Sequence, residues 1–164
     1  MNQNLATSEN LKILVIDDHE LVLGGTLDVL KRNYPSAEIF TAQTAQAALE
    51  KLKQAQLNLV VMDLSLPENS GVSAKVDTGI QLLKTSLKNY PNLNIVVQST
   101  YVRALVRTIP DIDAHKGGFA VADKSLSSQE MLTRVDWALQ GVSYTKDIKG
   151  MQTGLEVKPE VFMV

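Results

Sequence analysis

The chain has 164 residues and a mass of 18.0 kDa, which suits one hydrophobic core and would crowd two. Its net charge of -2 and pI near 5.7 argue against a nucleic-acid-binding surface, and the lack of cysteine excludes disulfides and thiolate metal sites. Residues 1–10 do not resemble a secretory signal, and no apolar run approaches the roughly 20 residues that span a bilayer. We therefore expect a cytoplasmic domain with no membrane contact.

Short apolar runs rich in Val and Ile alternate along the chain with stretches of helical periodicity. The runs predict strands at Lys12–Ile16, Glu38–Thr41, Leu57–Met62, Ile95–Gln98 and Phe119–Ala122. The periodic stretches predict helices at Leu21–Arg32, Thr44–Gln54, Gly79–Asn89, about Val102–Ile109, and Ser127–Gln140. This alternation predicts an α/β fold: a doubly wound, five-stranded parallel sheet of the flavodoxin-like type, with strand order 2-1-3-4-5.

Several helix ends can be read from local sequence. Tyr34-Pro35 and Tyr90-Pro91 end the first and third helices, and Ser127 with Glu130 forms a capping box for the last. The fourth helix is shortened in this interpretation by Pro110 and the polar residues that follow it.

Two segments do not fit the alternation. Glu68–Asp77 is small, polar and contains glycine, so it predicts a long loop after the third strand. Periodicity is lost from Gly141 until the apolar end Val161–Val164. We therefore predict a polar tail over residues 1–10, a domain over residues 11–142, and a linker over residues 143–164. That linker would lead into a truncated output domain or form a C-terminal extension.

Polar side chains follow four of the predicted strands. Asp17-Asp18 comes after the first, Asp63 after the third, Ser99-Thr100 after the fourth and Asp123-Lys124 after the fifth. The carboxyl ends of parallel strands meet at one edge, so these groups should converge. Carboxylates so close together need a proton or a cation among them, and Mg²⁺ prefers oxygen ligands. We expect Asp18, Asp63 and the backbone carbonyl of Ser65 to bind it directly, with Asp17 acting through water.

These residues lie in segments that resemble a known family. ILVIDDHELV, VVMDLSLPE, VVQST and GGFAVADKS are similar to the segments that define response-regulator receiver domains, over roughly Leu11 to Val142. The resemblance implies that Asp63 is the phosphoacceptor, that Asp17 and Asp18 bind the metal, that Ser99 senses the phosphate and that Lys124 is the ion-pairing lysine. It also implies a histidine kinase as the phosphoryl donor.

Each residue also has a simpler structural explanation. Asp17 and Asp18 could cap the first helix, Lys124 could be an ordinary solvated lysine, and Thr100 rivals Ser99. His19 and His115 lie in different loops without a partner at ligand spacing, so neither is expected to bind a metal.

The chain departs from the family pattern at two positions. Val121 stands where the family usually has an aromatic residue, and Thr100 where it has a smaller one. A coupled hydroxyl and aromatic switch is therefore not assured by the sequence.

Beyond the domain, ALQGVSY and LEVKPEVFMV resemble the region that joins LuxR/NarL-type receivers to their helix-turn-helix domain. This second resemblance implies transcription regulation by a DNA-binding domain outside this chain. It also suggests a homodimer through the face formed by the fourth helix, fifth strand and fifth helix.

The function that we predict is phosphoryl acceptance in two-component signalling. The alternative is a receiver-like interaction module that works without phosphorylation, for which Val121 and Thr100 are the support. An enzyme is disfavoured, because phosphohydrolases with an Asp nucleophile usually carry a second carboxylate two positions on, and here that position is Ser65.

Overall fold

A computed structural model of the protein describes residues 11–146 and 148–150. The predicted tail over residues 1–10 and the apolar end Val161–Val164 lie outside the described residues. At the centre is a parallel sheet of six strands in the order β2-β1-β3-β4-β5-β6. The strands are β1 (Lys12–Ile16), β2 (Glu38–Ala42), β3 (Leu59–Met62), β4 (Asn94–Ser99), β5 (Phe119–Asp123) and β6 (Ser143–Tyr144). The predicted order of the first five strands is confirmed.

The central strands are covered on both faces, which explains why their sequences are apolar without alternation. On one face, Leu14 and Ile16 of β1 pack with α2 (Ala45–Gln54), α3 (Val76–Asn89) and the segment after β4. On the other face, Ile13 and Val15 pack with α1 (Glu20–Asn33) and α5 (Ser128–Leu139). The result is the three-layered arrangement that the sequence predicts. Within the described residues, no helix is long and apolar enough to cross a bilayer.

The predicted helix ends agree with the structure where a local signal exists. Tyr34 and Tyr90 are the C-caps of α1 and α3. Ser127 is the N-cap of α5, and its Oγ accepts a hydrogen bond from Glu130 N at 3.2 Å. These ends depend on neighbours within a few residues, so the sequence alone specifies them.

The prediction for the fourth helix was wrong in its form. A 3₁₀ helix spans Val102–Thr108 and leads directly into α4 (Ile109–Ala114). Pro110 lies in the first turn of α4, where a missing N–H removes no helical hydrogen bond, so it begins a helix instead of shortening one.

The sheet has one strand more than the five predicted, because β6 adds a short sixth strand at its edge. β6 pairs in parallel with β5, and its Tyr144 ring packs against Trp137 of α5 with the ring centroids 4.8 Å apart. Arg134 of α5 also lies over the Tyr144 ring, 4.8 Å from its centroid. A strand of two residues has no pattern to detect, so contacts between side chains distant in sequence define it. The domain boundary near residue 142 remains a prediction, although Ile148 is buried.

The predicted loop Glu68–Asp77 is shorter than expected, since α3 begins at Val76. Leu66 and Lys75 close it as an antiparallel bridge, with N–O distances of 3.2 and 2.9 Å, and Gly71 turns the chain with a φ of 82°. At its start, the carbonyls of Pro67 and Glu68 accept hydrogen bonds from Ala45 N and Gln46 N. The loop thereby contacts the amino end of α2.

Candidate functional site

Asp17 lies directly after β1, and backbone hydrogen bonds fix its position. Its N–H donates to Ala42 O at 3.1 Å, so the β1–β2 ladder continues past the strand end. The side chain is buried, and its Oδ1 accepts a hydrogen bond from His19 N at 2.9 Å. The simpler interpretation of Asp17 as a helix cap is wrong, because the N-cap of α1 is His19 and the helix has no side-chain cap hydrogen bond. The Oδ1 contact supports the turn before the helix. The other oxygen, Oδ2, is 3.1 Å from Lys124 Nζ.

Asp63 follows β3 and is held in the same way. Its N–H donates to Ile16 O at 2.9 Å, and its carboxylate is 2% exposed. Oδ1 accepts from Leu64 N at 2.7 Å, with Ser65 N farther away at 3.4 Å. Gly79 of α3 packs against the Leu64 backbone so closely that a Cβ at Gly79 would overlap the carbonyl. The chain after Asp63 is therefore fixed from both sides.

Lys124 connects the two carboxylates. It follows β5, and its Nζ lies 2.8 Å from Asp63 Oδ2 and 3.1 Å from Asp17 Oδ2. Burial lowers the pKa of Lys124, but the hydrogen bonds and charges of Asp63 and Asp17 outweigh it and raise the pKa above its usual value. The ammonium is thus held in its charged form between two buried acids.

Asp17 and Asp63 belong to a larger cluster of possible metal ligands, the acidic cluster. One possible ligand atom from each of Asp17, Asp18, His19 and Asp63 lies within 4.8 Å of the others. Asp18 Oδ1 is buried and has no hydrogen-bond donor. It is 3.3 Å from His19 Nδ1, close enough for an ion pair but without the geometry of a hydrogen bond. An unpaired buried carboxylate oxygen beside two other acids fits a hard divalent cation.

His19 is a residue whose place the sequence analysis missed. Its Nδ1 is 3.3 Å from Asp17 Oδ1 and equally far from Asp18 Oδ1, although its side chain is largely exposed. The available signal was its position directly after the Asp pair at a strand end. His115 lies elsewhere, with Nε2 at 2.6 Å from Leu93 O.

Ser99 and Thr100 differ sharply in environment. Ser99 ends β4 opposite Asp123, is fully buried, and its Oγ accepts a hydrogen bond from Tyr101 N at 3.0 Å. Thr100 is exposed. Val97 pairs with Met62, so Ser99 lies one residue beyond the level of Asp63 across the β3–β4 ladder. Ser99 is thus a buried hydroxyl at this edge of the sheet, whereas Thr100 is open to solvent.

The region that contains the acidic cluster matches a known protein family. The model of the response regulator receiver domain matches residues 13–136, most of the chain and all of the described site. The chain belongs to this receiver family. The acidic cluster and Lys124 fall entirely within the matched region.

Curated relatives of this receiver include transcription regulators. It is 31% identical over 91 residues to the uncharacterized transcriptional regulatory protein YhcZ of Bacillus subtilis, covering 56% of this chain and 39% of that protein. It is 25% identical over 150 residues to the DNA-binding transcriptional activator DevR/DosR of Mycobacterium tuberculosis, covering 90% of this chain and 53% of that protein. The chain thus spans about half or less of these relatives' length.

Solved structures confirm the receiver fold. A CheY-like receiver domain protein from Methanospirillum hungatei aligns with a TM-score of 0.62 at 23% identity, covering 79% of this chain and 94% of that one. The response regulator RcsB of Salmonella typhimurium aligns with a TM-score of 0.66 at 18% identity, covering 90% of this chain and 68% of that one. At these identities the likeness concerns the fold.

Proposed function

We propose that this receiver accepts a phosphoryl group on Asp63 from a histidine kinase, with Mg²⁺ held by Asp17, Asp18, Asp63 and the carbonyl of Ser65. The observation that carries the proposal is the Lys124 ammonium, 2.8 Å from Asp63 and 3.1 Å from Asp17. A largely buried cation that joins two strand-end carboxylates places positive charge where a phosphoryl group would arrive. Asp18 Oδ1, which lacks a donor, supports the metal part of the proposal.

The transfer needs little from the protein beyond position and charge. A carboxylate oxygen of Asp63 forms the new bond to phosphorus while the bond from phosphorus to the donor breaks, and the donor leaves with that electron pair. Bound Mg²⁺ would supply further neutralisation of the phosphoryl oxygens. Lys124 stays protonated throughout, and the N–H of Leu64 orients the carboxylate at 2.7 Å.

Ser99 is the proposed sensor of the phosphate. Its Oγ accepts from Tyr101 N at 3.0 Å, which leaves the hydroxyl hydrogen free to donate. A hydrogen bond to a phosphate oxygen would move Oγ and with it the start of the 3₁₀ helix, which begins at Val102. Val121, which replaces the usual aromatic residue, is buried in β5, so we assign the response to the segment after β4.

The receiver is a signalling domain, and we propose that it acts in the cytoplasm without turnover of a substrate. Its relative DevR/DosR is described as a DNA-binding transcriptional activator. We infer a similar output for the whole protein through a DNA-binding domain outside this chain. Homodimerisation through the face of α4, β5 and α5 is part of this proposal, and sedimentation with and without a phosphate mimic tests it.

Acetyl phosphate with Mg²⁺ tests phosphoryl acceptance directly. Intact-protein mass spectrometry should show the gain of one phosphoryl group, and borohydride trapping should locate it at Asp63. Asp63→Asn should show no gain. Asp123→Asn is the matched control, because Asp123 is an exposed carboxylate at the same sheet edge that lies outside the acidic cluster. Phosphorylation that persists in Asp63→Asn would refute the assignment.

The interaction-module alternative makes an opposite prediction about output. If signalling works without phosphorylation, Asp63→Asn leaves reporter expression in the cell unchanged. Loss of regulation in Asp63→Asn, with normal regulation in Asp123→Asn, would reject the alternative.

A further inference from the structure

A groove runs between α3 on one side and the 3₁₀ helix with α4 on the other. One part has a volume of about 460 Å³ and a second part about 350 Å³, and Lys84 lines both. Apolar side chains from both walls line the first part: Val76, Ile80, Ala104 and Val106. No residue of the acidic cluster lines the groove, and the proposed phosphoryl acceptance on Asp63 does not use its lining residues.

The groove is strongly basic although the chain is slightly acidic. Five basic side chains line its two parts: Lys84, Lys88, Arg103, Arg107 and Lys116. Two acidic residues accompany them, Asp77 and Asp111, so the lining carries a positive excess on a chain of net charge -2. Such segregation of charge attracts an anionic partner.

None of these five cations has a partner within the described part of the chain. All five are exposed, and none forms an ion pair or a hydrogen bond with a described residue. By contrast, Arg32 on α1 pairs with Asp28 at 2.6 Å. As far as the described residues are concerned, the groove cations have no internal contacts to break before they meet charges from outside.

The groove also contains an unpaired polar group. Thr108 lines it and is fully buried, yet its Oγ1 has no hydrogen-bond partner among the described residues. An unpaired buried hydroxyl lowers stability, and a bound polar group can remove that penalty.

We propose that this basic groove binds an acidic amphipathic segment of a partner protein. The apolar side chains that line the groove would stabilise aliphatic side chains buried against them. Carboxylates on either side of such a segment would pair with the basic side chains on the two walls. A nucleic-acid backbone would leave the apolar floor unused, and the groove offers no aromatic ring on which a base could stack in the part lined by Ile80 and Arg103. A helix with Leu at the groove-facing positions and Glu beside them fits both features.

Binding of a labelled helical peptide with Leu at i, i+3, i+4 and i+7 and Glu at the flanking positions tests the proposal by fluorescence anisotropy. A scrambled peptide of the same composition serves as the ligand control. We expect the amphipathic peptide to bind at least about fivefold more tightly than the scrambled one, because only it presents an apolar face. Binding should weaken with added salt.

Charge reversal locates the site on the protein. Arg103→Glu with Arg107→Glu should weaken binding at least about tenfold. Lys31→Glu with Lys53→Glu is the matched control, since both lysines are exposed and have no ion pair among the described residues. Lys53 also borders a larger polar cleft of about 770 Å³ at the amino ends of the strands, so the control tests that cleft as a rival. We expect this control to bind within about twofold of the wild type.

Other outcomes would overturn the proposal. No binding by the peptide, equal binding of the scrambled peptide, or equal loss in the two double variants would each reject it. Tighter binding of duplex DNA than of the peptide, lost in Arg103→Glu with Arg107→Glu, would assign the groove to nucleic acid instead. Lys84→Glu with Lys88→Glu tests the opposite wall if the first pair fails to fold, and acetyl phosphate labelling of each variant checks that the domain is intact.

Discussion

The two halves of the carboxyl edge of the sheet are built differently. At the ends of β1 and β3, Asp17 and Asp63 are fixed by backbone hydrogen bonds of 3.1 and 2.9 Å that extend the ladders past the strands. After β4, the chain instead turns through Thr100 and Tyr101 into a seven-residue 3₁₀ helix. Runs of 3₁₀ helix longer than three or four residues are uncommon, because their hydrogen-bond geometry is poorer than that of an α-helix.

This difference separates the part of the edge that fixes the carboxylates from the part that can respond to a change at Ser99. We call the half at the ends of β1 and β3 the rigid half, because these backbone hydrogen bonds hold its carboxylates in place despite their mutual repulsion. Lys124, from the end of β5, offsets part of that repulsion. The half that begins at Ser99 depends on a single side-chain hydrogen bond to Tyr101 N before the 3₁₀ helix starts. A change at Ser99 can therefore reach the 3₁₀ helix without disturbing the acidic cluster.

The largest effect on the rigid half should come from Lys124→Ala. Removing the ammonium leaves Asp17 and Asp63 buried without their cation, and we expect a loss of about 3 kcal/mol in the free energy of unfolding without divalent cations. Urea unfolding in EDTA measures it, and added Mg²⁺ should restore part of the stability. Lys31→Ala, an exposed lysine on α1, is the control and should stay within about 0.5 kcal/mol of the wild type. Equal stability of both variants would show that the Lys124 bridge contributes little.

Hydrogen exchange compares the two halves directly. Amides of Val102–Thr108 should exchange at least about tenfold faster than those of α2, because 3₁₀ hydrogen bonds are weaker and open at lower free energy. A beryllium fluoride phosphate mimic with Mg²⁺ should change exchange in Val102–Thr108 more than in α2. Equal protection of the two segments would contradict the proposed division.

Ser99→Ala should have a smaller effect on stability. It removes the acceptor for Tyr101 N, and we expect a loss of about 1 kcal/mol in the free energy of unfolding. Thr100→Ala is the control, since Thr100 is exposed, and should change stability by less than about 0.5 kcal/mol. In Ser99→Ala the phosphate mimic should still bind but should no longer alter exchange in Val102–Thr108. If Thr100→Ala instead abolishes that response, the sensor is Thr100.

The smallest expected effect is a loss of stability above pH 10 that involves Tyr34, at the end of α1. Burial, and then the charge of Asp136, raise the pKa of Tyr34 to about 12. The unfolded chain releases this proton near pH 10, so the stability contributed by the neutral phenol is present below pH 10 and is lost as the pH rises towards 12. Ultraviolet titration of phenolate, with Tyr34→Phe as the reference, should show one late-titrating tyrosine. If the variant and wild-type curves differ only near pH 10, the tyrosine is not shielded.

Local sequence was sufficient for most of the fold. The apolar runs Ile13–Ile16 and Leu59–Met62 identify central strands because every residue in them is buried. Ser127 with Glu130, and Tyr34 with Pro35, define helix ends through neighbours a few residues away. By contrast, β6 depends on Tyr144 packing against Trp137, which no pattern in two residues can reveal.

The sequence by itself determined the order of the elements and which polar residues follow each strand. The parallel arrangement then implied that Asp17, Asp18, Asp63 and Lys124 would lie near one another, because parallel strands end at one edge. Only the tertiary structure decided that Lys124 bridges Asp17 and Asp63, that His19 joins the acidic cluster and that the chain after β4 forms a 3₁₀ helix. The physical reason is the distance in sequence between the residues that interact. Strand and cap signals depend on residues that are close in the chain, whereas ion pairs and groove walls form between residues that are far apart in it.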